Sequence, residues 1–84
     1  MMDIANQVFL VSGGASGLGA ASAEMLVAAG ARVMLVDLNA EAVAAKAQQL
    51  GCQSVVADIS QEAAAEAAVQ ATVKAFGGLN GLVN

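Results

Sequence analysis

The chain has 84 residues and a formal net charge of −4; 58% of it is hydrophobic, 12% charged and 2% aromatic, and it carries one cysteine. That length holds one small domain or part of one, and the apolar fraction excludes a disordered chain. The only cations, Arg32, Lys46 and Lys74, cannot track a phosphodiester backbone or an anionic membrane, so nucleic acid and membrane surfaces are excluded as partners.

The longest uncharged run, residues 4–23, has membrane-spanning length, but Asn6, Gln7, three serines and four glycines within it argue against a transmembrane helix. Met1-Met2-Asp3 lacks the cationic start of a secretory leader, and Cys52 alone cannot form an internal disulfide, so a reducing, cytoplasmic setting is expected. Alanine supplies 21 residues, which suits close packing of helices on a sheet.

Residues 7–11, Gln-Val-Phe-Leu-Val, form a short apolar run ending in Ser12-Gly13-Gly14, as expected for a strand buried on both faces. Over residues 17–29, Leu18, Ala21, Met25, Leu26 and Ala29 recur at helical spacing, and Gly30 stands where a left-handed cap belongs. Residues 32–36 predict a second buried strand closed by Asp37, and residues 40–50 a second helix stopped by Gly51. Residues 53–57 predict a third strand. Ser60 is the expected N-cap of a third helix that has Glu62 in its first turn and runs to Phe76 before Gly77-Gly78. Residues 79–84 begin a fourth strand. The order βαβαβαβ, with short connections and no proline, predicts an α/β fold: a partial Rossmann fold with a parallel sheet and helices on its faces.

The first strand-to-helix turn reads Ser12-Gly13-Gly14-Ala15-Ser16-Gly17-Leu18-Gly19. Gly13 permits a positive φ in a tight turn, while Gly17 and Gly19 at the helix start let a pyrophosphate approach free N–H groups at the positive end of the helix dipole. The alternative is a flexible loop leading into a helix. Ser16 either reaches a ribose or phosphate oxygen or caps the helix. Asp37, 18 residues beyond Gly19, can accept hydrogen bonds from both hydroxyls of an adenosine ribose and would repel a 2′-phosphate, which favours NAD over NADP. Its other reading is a turn residue before Asn39, a residue placed to cap the second helix. Asp58 and Ile59 close the third strand on the same edge, where they could flank an adenine; Asp58 reads equally as a turn residue ahead of Ser60. Cys52 has no His or Lys near it in sequence and reads as a small buried residue. The four methionines read as core and chain start, and no metal site is expected.

Taken together, Ser12 to Gly19 resembles the Thr-Gly-x-x-x-Gly-x-Gly fingerprint of the short-chain dehydrogenase/reductase family, with Ser12 keeping the hydroxyl of the family's Thr. The likeness continues at Asp37, at Asp58-Ile59 and at Gly81-Leu82-Val83-Asn84, which is similar to the start of the family's Asn-Asn-Ala-Gly strand. The resemblance implies a cofactor site in which Gly13, Ser16, Gly17, Leu18 and Gly19 line the pyrophosphate and ribose side. It also implies that Asp37 holds the adenosine ribose and that Asp58 and Ile59 frame the adenine. Family members that prefer NADP carry a basic residue where this chain has Ser16 or Leu38. A further likeness, to type II 3-hydroxyacyl-CoA dehydrogenases, covers Ser12 to Leu38.

The family's catalytic Ser, Tyr-x-x-x-Lys and Asn have no counterparts here; the chain contains no Tyr and no His. The resemblance therefore implies the N-terminal, NAD-binding part, residues 1–84, of an oxidoreductase acting on a secondary alcohol or ketone, with no catalytic residue in this stretch. Substrate binding would belong to the full-length protein, expected to be a homo-oligomer. The chain is expected to be a fragment, or a piece that associates through an uncovered apolar edge at the fourth strand. The alternative is a stand-alone nucleotide-binding or scaffold module without a reaction of its own.

Overall fold

In the computed structural model, residues 4–84 are described, and Met1, Met2 and Asp3, read above for a leader, lie outside the described residues. Seven elements follow in the expected order: β1 (Val8–Ser12), α1 (Gly17–Ala28), β2 (Arg32–Asp37), α2 (Ala40–Leu50), β3 (Gln53–Val56), α3 (Glu62–Phe76) and β4 (Gly81–Val83). The strands form one parallel sheet in the order β3-β2-β1-β4. The chain thus moves outward from β1 to β3, and α3 then carries it back across to the far side of β1. That reversal creates a switch point at the carboxyl ends of β1 and β4, where open α/β sheets bind ligands.

Successive β2 residues serve opposite faces, as strand geometry requires. Val33 and Leu35 pack with Val11, Ala23 of α1, and Val43 and Ala47 of α2. Met34 and Val36 pack with Leu10 and with Ala68 of α3. Burial on both faces explains why β1 and β2 read as unbroken apolar runs. β3 and β4 are the edges, and the strands are shorter than expected, β3 ending at Val56 and β4 beginning at Gly81. Leu82 of β4 is exposed, beside a cleft of about 240 Å³ lined by residues that include Leu10, Ile59, Val69 and Asn84.

Two expectations are corrected. The stripe Leu18, Ala21, Met25, Leu26 and Ala29 is not the packed face of α1: Ala20 and Ala23 are buried, Leu26 and Val27 partly so, and Leu18 and Met25 are 88% and 67% exposed. Apolar residues ring this helix, so close approach to the sheet selects the small side chains. Met25 is accordingly not a core residue, whereas Met34 is. Ser60 does not cap α3. Gln61 holds the N-cap position with no side-chain bond, and the Ser60 hydroxyl donates to Asp58 Oδ1 at 2.6 Å instead.

No helix among the described residues is long and apolar enough to cross a membrane.

Candidate functional site

The carboxyl edge of the sheet gathers the turns after β1, β2 and β3. A cleft of about 190 Å³ opens there, lined by Ser12, Gly13, Asp37, Leu38, Ala57, Asp58 and Ile59. Four of the sequence-designated residues, Gly13, Asp37, Asp58 and Ile59, meet in it. The other four, Ser16, Gly17, Leu18 and Gly19, sit on the adjoining turn and the first residues of α1, outside the cleft lining.

That turn is ordered by its glycines. Gly13 and Gly17 have φ of +65° and +62°, and a Cβ on either would meet nothing within 4 Å, so their backbone faces open space. Gly19 also has a packing role that the sequence reading did not include. A Cβ there would lie 2.8 Å from the Ser12 carbonyl oxygen and 2.7 Å from the Gly13 carbonyl carbon. Its absent side chain therefore lets the helix start close onto the end of β1. Ser16 stands at the N-cap with extended backbone, yet its side chain makes no capping bond. The first N–H groups of α1, at Gly17, Leu18 and Gly19, have no intrahelical acceptor by helix geometry, and no acidic residue lies in that turn. This is a donor-rich, uncapped helix start of the kind that takes an anion.

Asp37 makes the turn contact considered for it and also lines the cleft. Its Oδ1 accepts from Asn39 N–H at 3.3 Å, a turn contact, and its Oδ2 accepts from Ala15 N–H at 3.0 Å while the side chain lines the cleft. The glycine-rich turn is also tied to β2 by Gly14 N–H, which donates to Val36 O at 3.2 Å. Asp58 is held by Ser60, whose hydroxyl and then amide donate to Oδ1 and pull the carboxyl below its ordinary pKa. Cys52 is partly buried, and desolvation pushes its thiol upward, away from nucleophilic character.

Sequence reasoning missed the residues that act through the backbone. Ala15 has no signal at all. Asn80 accepts from Val8 N–H through Oδ1 at 2.8 Å, and its own N–H donates to Val8 O at 2.8 Å, extending the β1–β4 ladder by one side chain. Ser12 Oγ donates to Asn84 Oδ1 at 3.1 Å and approaches Val83 O at 3.3 Å, joining the two strand ends that border the switch point.

The family described as short chain dehydrogenase matches residues 7–84. A 2,5-dichloro-2,5-cyclohexadiene-1,4-diol dehydrogenase of Sphingobium indicum is 42% identical over 100% of this chain and 34% of its own length. Among solved structures, a short-chain dehydrogenase/reductase from Burkholderia phymatum in complex with NAD superposes with a TM-score of 0.92 at 30% identity, covering 98% of this chain and 31% of that one. The Pseudomonas aeruginosa RhlG/NADP complex superposes with a TM-score of 0.89 at 40% identity, covering 98% and 35%. The chain spans about a third of the length of the curated relatives it matches.

Proposed function

The chain belongs to the short-chain dehydrogenase family of oxidoreductases, and from that premise we propose that its 84 residues are the N-terminal, NAD-binding part of a single Rossmann domain. The observation that carries this reading is the meeting of Gly13, Asp37, Asp58 and Ile59 in one cleft beside an uncapped helix start. The open backbone at Gly13 and Gly17 fits a pyrophosphate, with the first amides of α1 as donors and Ser16 and Leu18 flanking it. Asp37 receives the adenosine ribose, and Asp58 and Ile59 frame the adenine. When bound, the nicotinamide accepts or returns a hydride.

Neighbours have been solved with NAD and with NADP, so the choice between them rests on this chain's own residues. A 2′-phosphate would face the Asp37 carboxylate with only Leu38 and Ser16 where a cation would be needed. A tenfold preference requires about 1.4 kcal/mol, within reach of such a repulsion. The parent enzyme would interconvert a secondary alcohol and its ketone, the chemistry implied by the name of the diol dehydrogenase relative; a 3-hydroxyacyl-CoA is one such alcohol. With no Tyr and no His, the 84 residues on their own would bind dinucleotide without turning it over.

Calorimetric titration tests the reading. Wild type should bind NAD at least about tenfold more tightly than NADP, and Asp37→Ala should weaken NAD and narrow that ratio. An unchanged NAD affinity in the variant would remove the ribose assignment.

A further inference from the structure

Asp37 makes two contacts that ribose recognition alone does not call for. Its Oδ2 accepts from the partly buried Ala15 N–H at 3.0 Å, and its Oδ1 accepts at 3.3 Å from Asn39 N–H on the exposed side. One residue earlier in the turn, Gly14 N–H donates to Val36 O at 3.2 Å. Two successive amides of the glycine-rich turn are therefore held by two successive residues at the end of β2. They lie between Gly13 and Gly17, both at positive φ, in a segment that no Ser16 side-chain cap secures.

We infer that Asp37 is a positioning residue for the glycine-rich turn, with Oδ2 holding Ala15 N–H in the ligand-free protein and Oδ1 left as the oxygen presented to a ribose hydroxyl. One carboxylate then shapes the pyrophosphate cradle and reads the sugar. The sugar half rests on the NAD reading above, and the turn half stands without it. The residue type follows from the partners, since both are N–H donors. A carboxylate accepts through either oxygen, whereas an amide offers one acceptor and turns its NH₂ toward the other donor. The division of oxygens follows from burial, because the better-shielded Ala15 N–H has more to lose without a partner than the exposed Asn39 N–H.

The inference separates two effects of changing Asp37 that a simple affinity measurement merges. In the full chain without ligand, Asp37→Ala, which removes both acceptors, should speed hydrogen exchange at the Ala15 amide by at least about tenfold while Val43 and Cys52 amides keep wild-type rates. The second readout uses ADP and 2′,3′-dideoxy-ADP, which keeps the diphosphate and lacks the ribose hydroxyls. Removing a negative charge beside a diphosphate by itself favours binding. Weakening of dideoxy-ADP by about threefold or more in Asp37→Ala therefore identifies the turn as the cause, with ADP weakened further. Unchanged Ala15 exchange, or dideoxy-ADP bound as tightly as before while ADP weakens, would overturn the turn-holding role. Should the variant fail to fold, wild type still decides: a scalar coupling across the hydrogen bond from the Ala15 amide nitrogen to the Asp37 carboxyl carbon must be present, and its absence overturns the inference. If neither nucleotide binds wild type, the NAD reading fails while exchange and the coupling across the hydrogen bond still judge the turn.

Discussion

At the start of α2, Asn39 Oδ1 accepts from Ala42 N–H at 3.0 Å and Glu41 stands in the first turn; at the start of α1, Ser16 makes no such bond and no acid is present. Both helices follow a strand end through a short turn, so the difference lies in what satisfies the helix's orphan N–H groups. α2 supplies its own acceptor and its own negative charge. α1 supplies neither, and its turn is built of glycine with open space before it. A helix start closed by its own side chains contributes stability; one left open keeps its donors and its dipole for a ligand.

The strongest way to break this comparison is Gly19→Ala. The added Cβ meets the Ser12 and Gly13 backbone, which cannot swing aside as a side chain could. A loss of about 3 kcal/mol in urea unfolding is expected, together with loss of dinucleotide binding. A fully stable variant would mean that α1 need not close on β1. Next in size is Asn39→Ala, expected to cost about 1 kcal/mol by the same measurement and to leave NAD affinity unchanged. Ser16→Ala sharpens the contrast from the other side. With no capping bond to lose, its stability should stay within about 0.5 kcal/mol of wild type. A cost equal to that of Asn39→Ala would show that Ser16 caps α1 in solution.

The contrast also explains what could be read from the residues alone. β1 and β2 were legible because strands buried on both faces must be apolar throughout. Asp37 was legible because a polar residue after such a run marks the carboxyl edge, and Asp58, with Ile59 beside it, because it follows the apolar residues Val55, Val56 and Ala57. α2 announced both its ends, Asn39 and Gly51, and the structure places caps at both. α1 hid its packed face because apolar residues surround it and the sheet chose Ala20 and Ala23 by size. Ala15 and Asn80 were illegible for a different reason: one acts through its N–H and the other stands in for a main-chain acceptor. Ser60 misled because an Asp two residues earlier competes for its hydroxyl.

That competition makes α3 a third kind of helix start and yields the smallest expected effect. Ser60 donates to Asp58 from both hydroxyl and amide, the hydroxyl contributing more to the lowered carboxyl pKa. A carboxyl whose folded pKa lies below its unfolded one contributes stability that is fully present above the unfolded value and lost as pH falls through the folded one. Ser60→Ala removes the larger cause, so the Asp58 midpoint, followed by carbon NMR of its carboxyl, should rise toward the ordinary carboxylate range. The stability gap between wild type and variant should be constant at neutral pH and shrink as the solution is acidified below that range. Because both bonds between Ser60 and Asp58 lie on the exposed side of the turn, the gap should be small. An identical Asp58 midpoint in both proteins would mean that the Ser60 hydroxyl is not committed to Asp58, leaving it free for the N-cap role that its place before α3 first suggested.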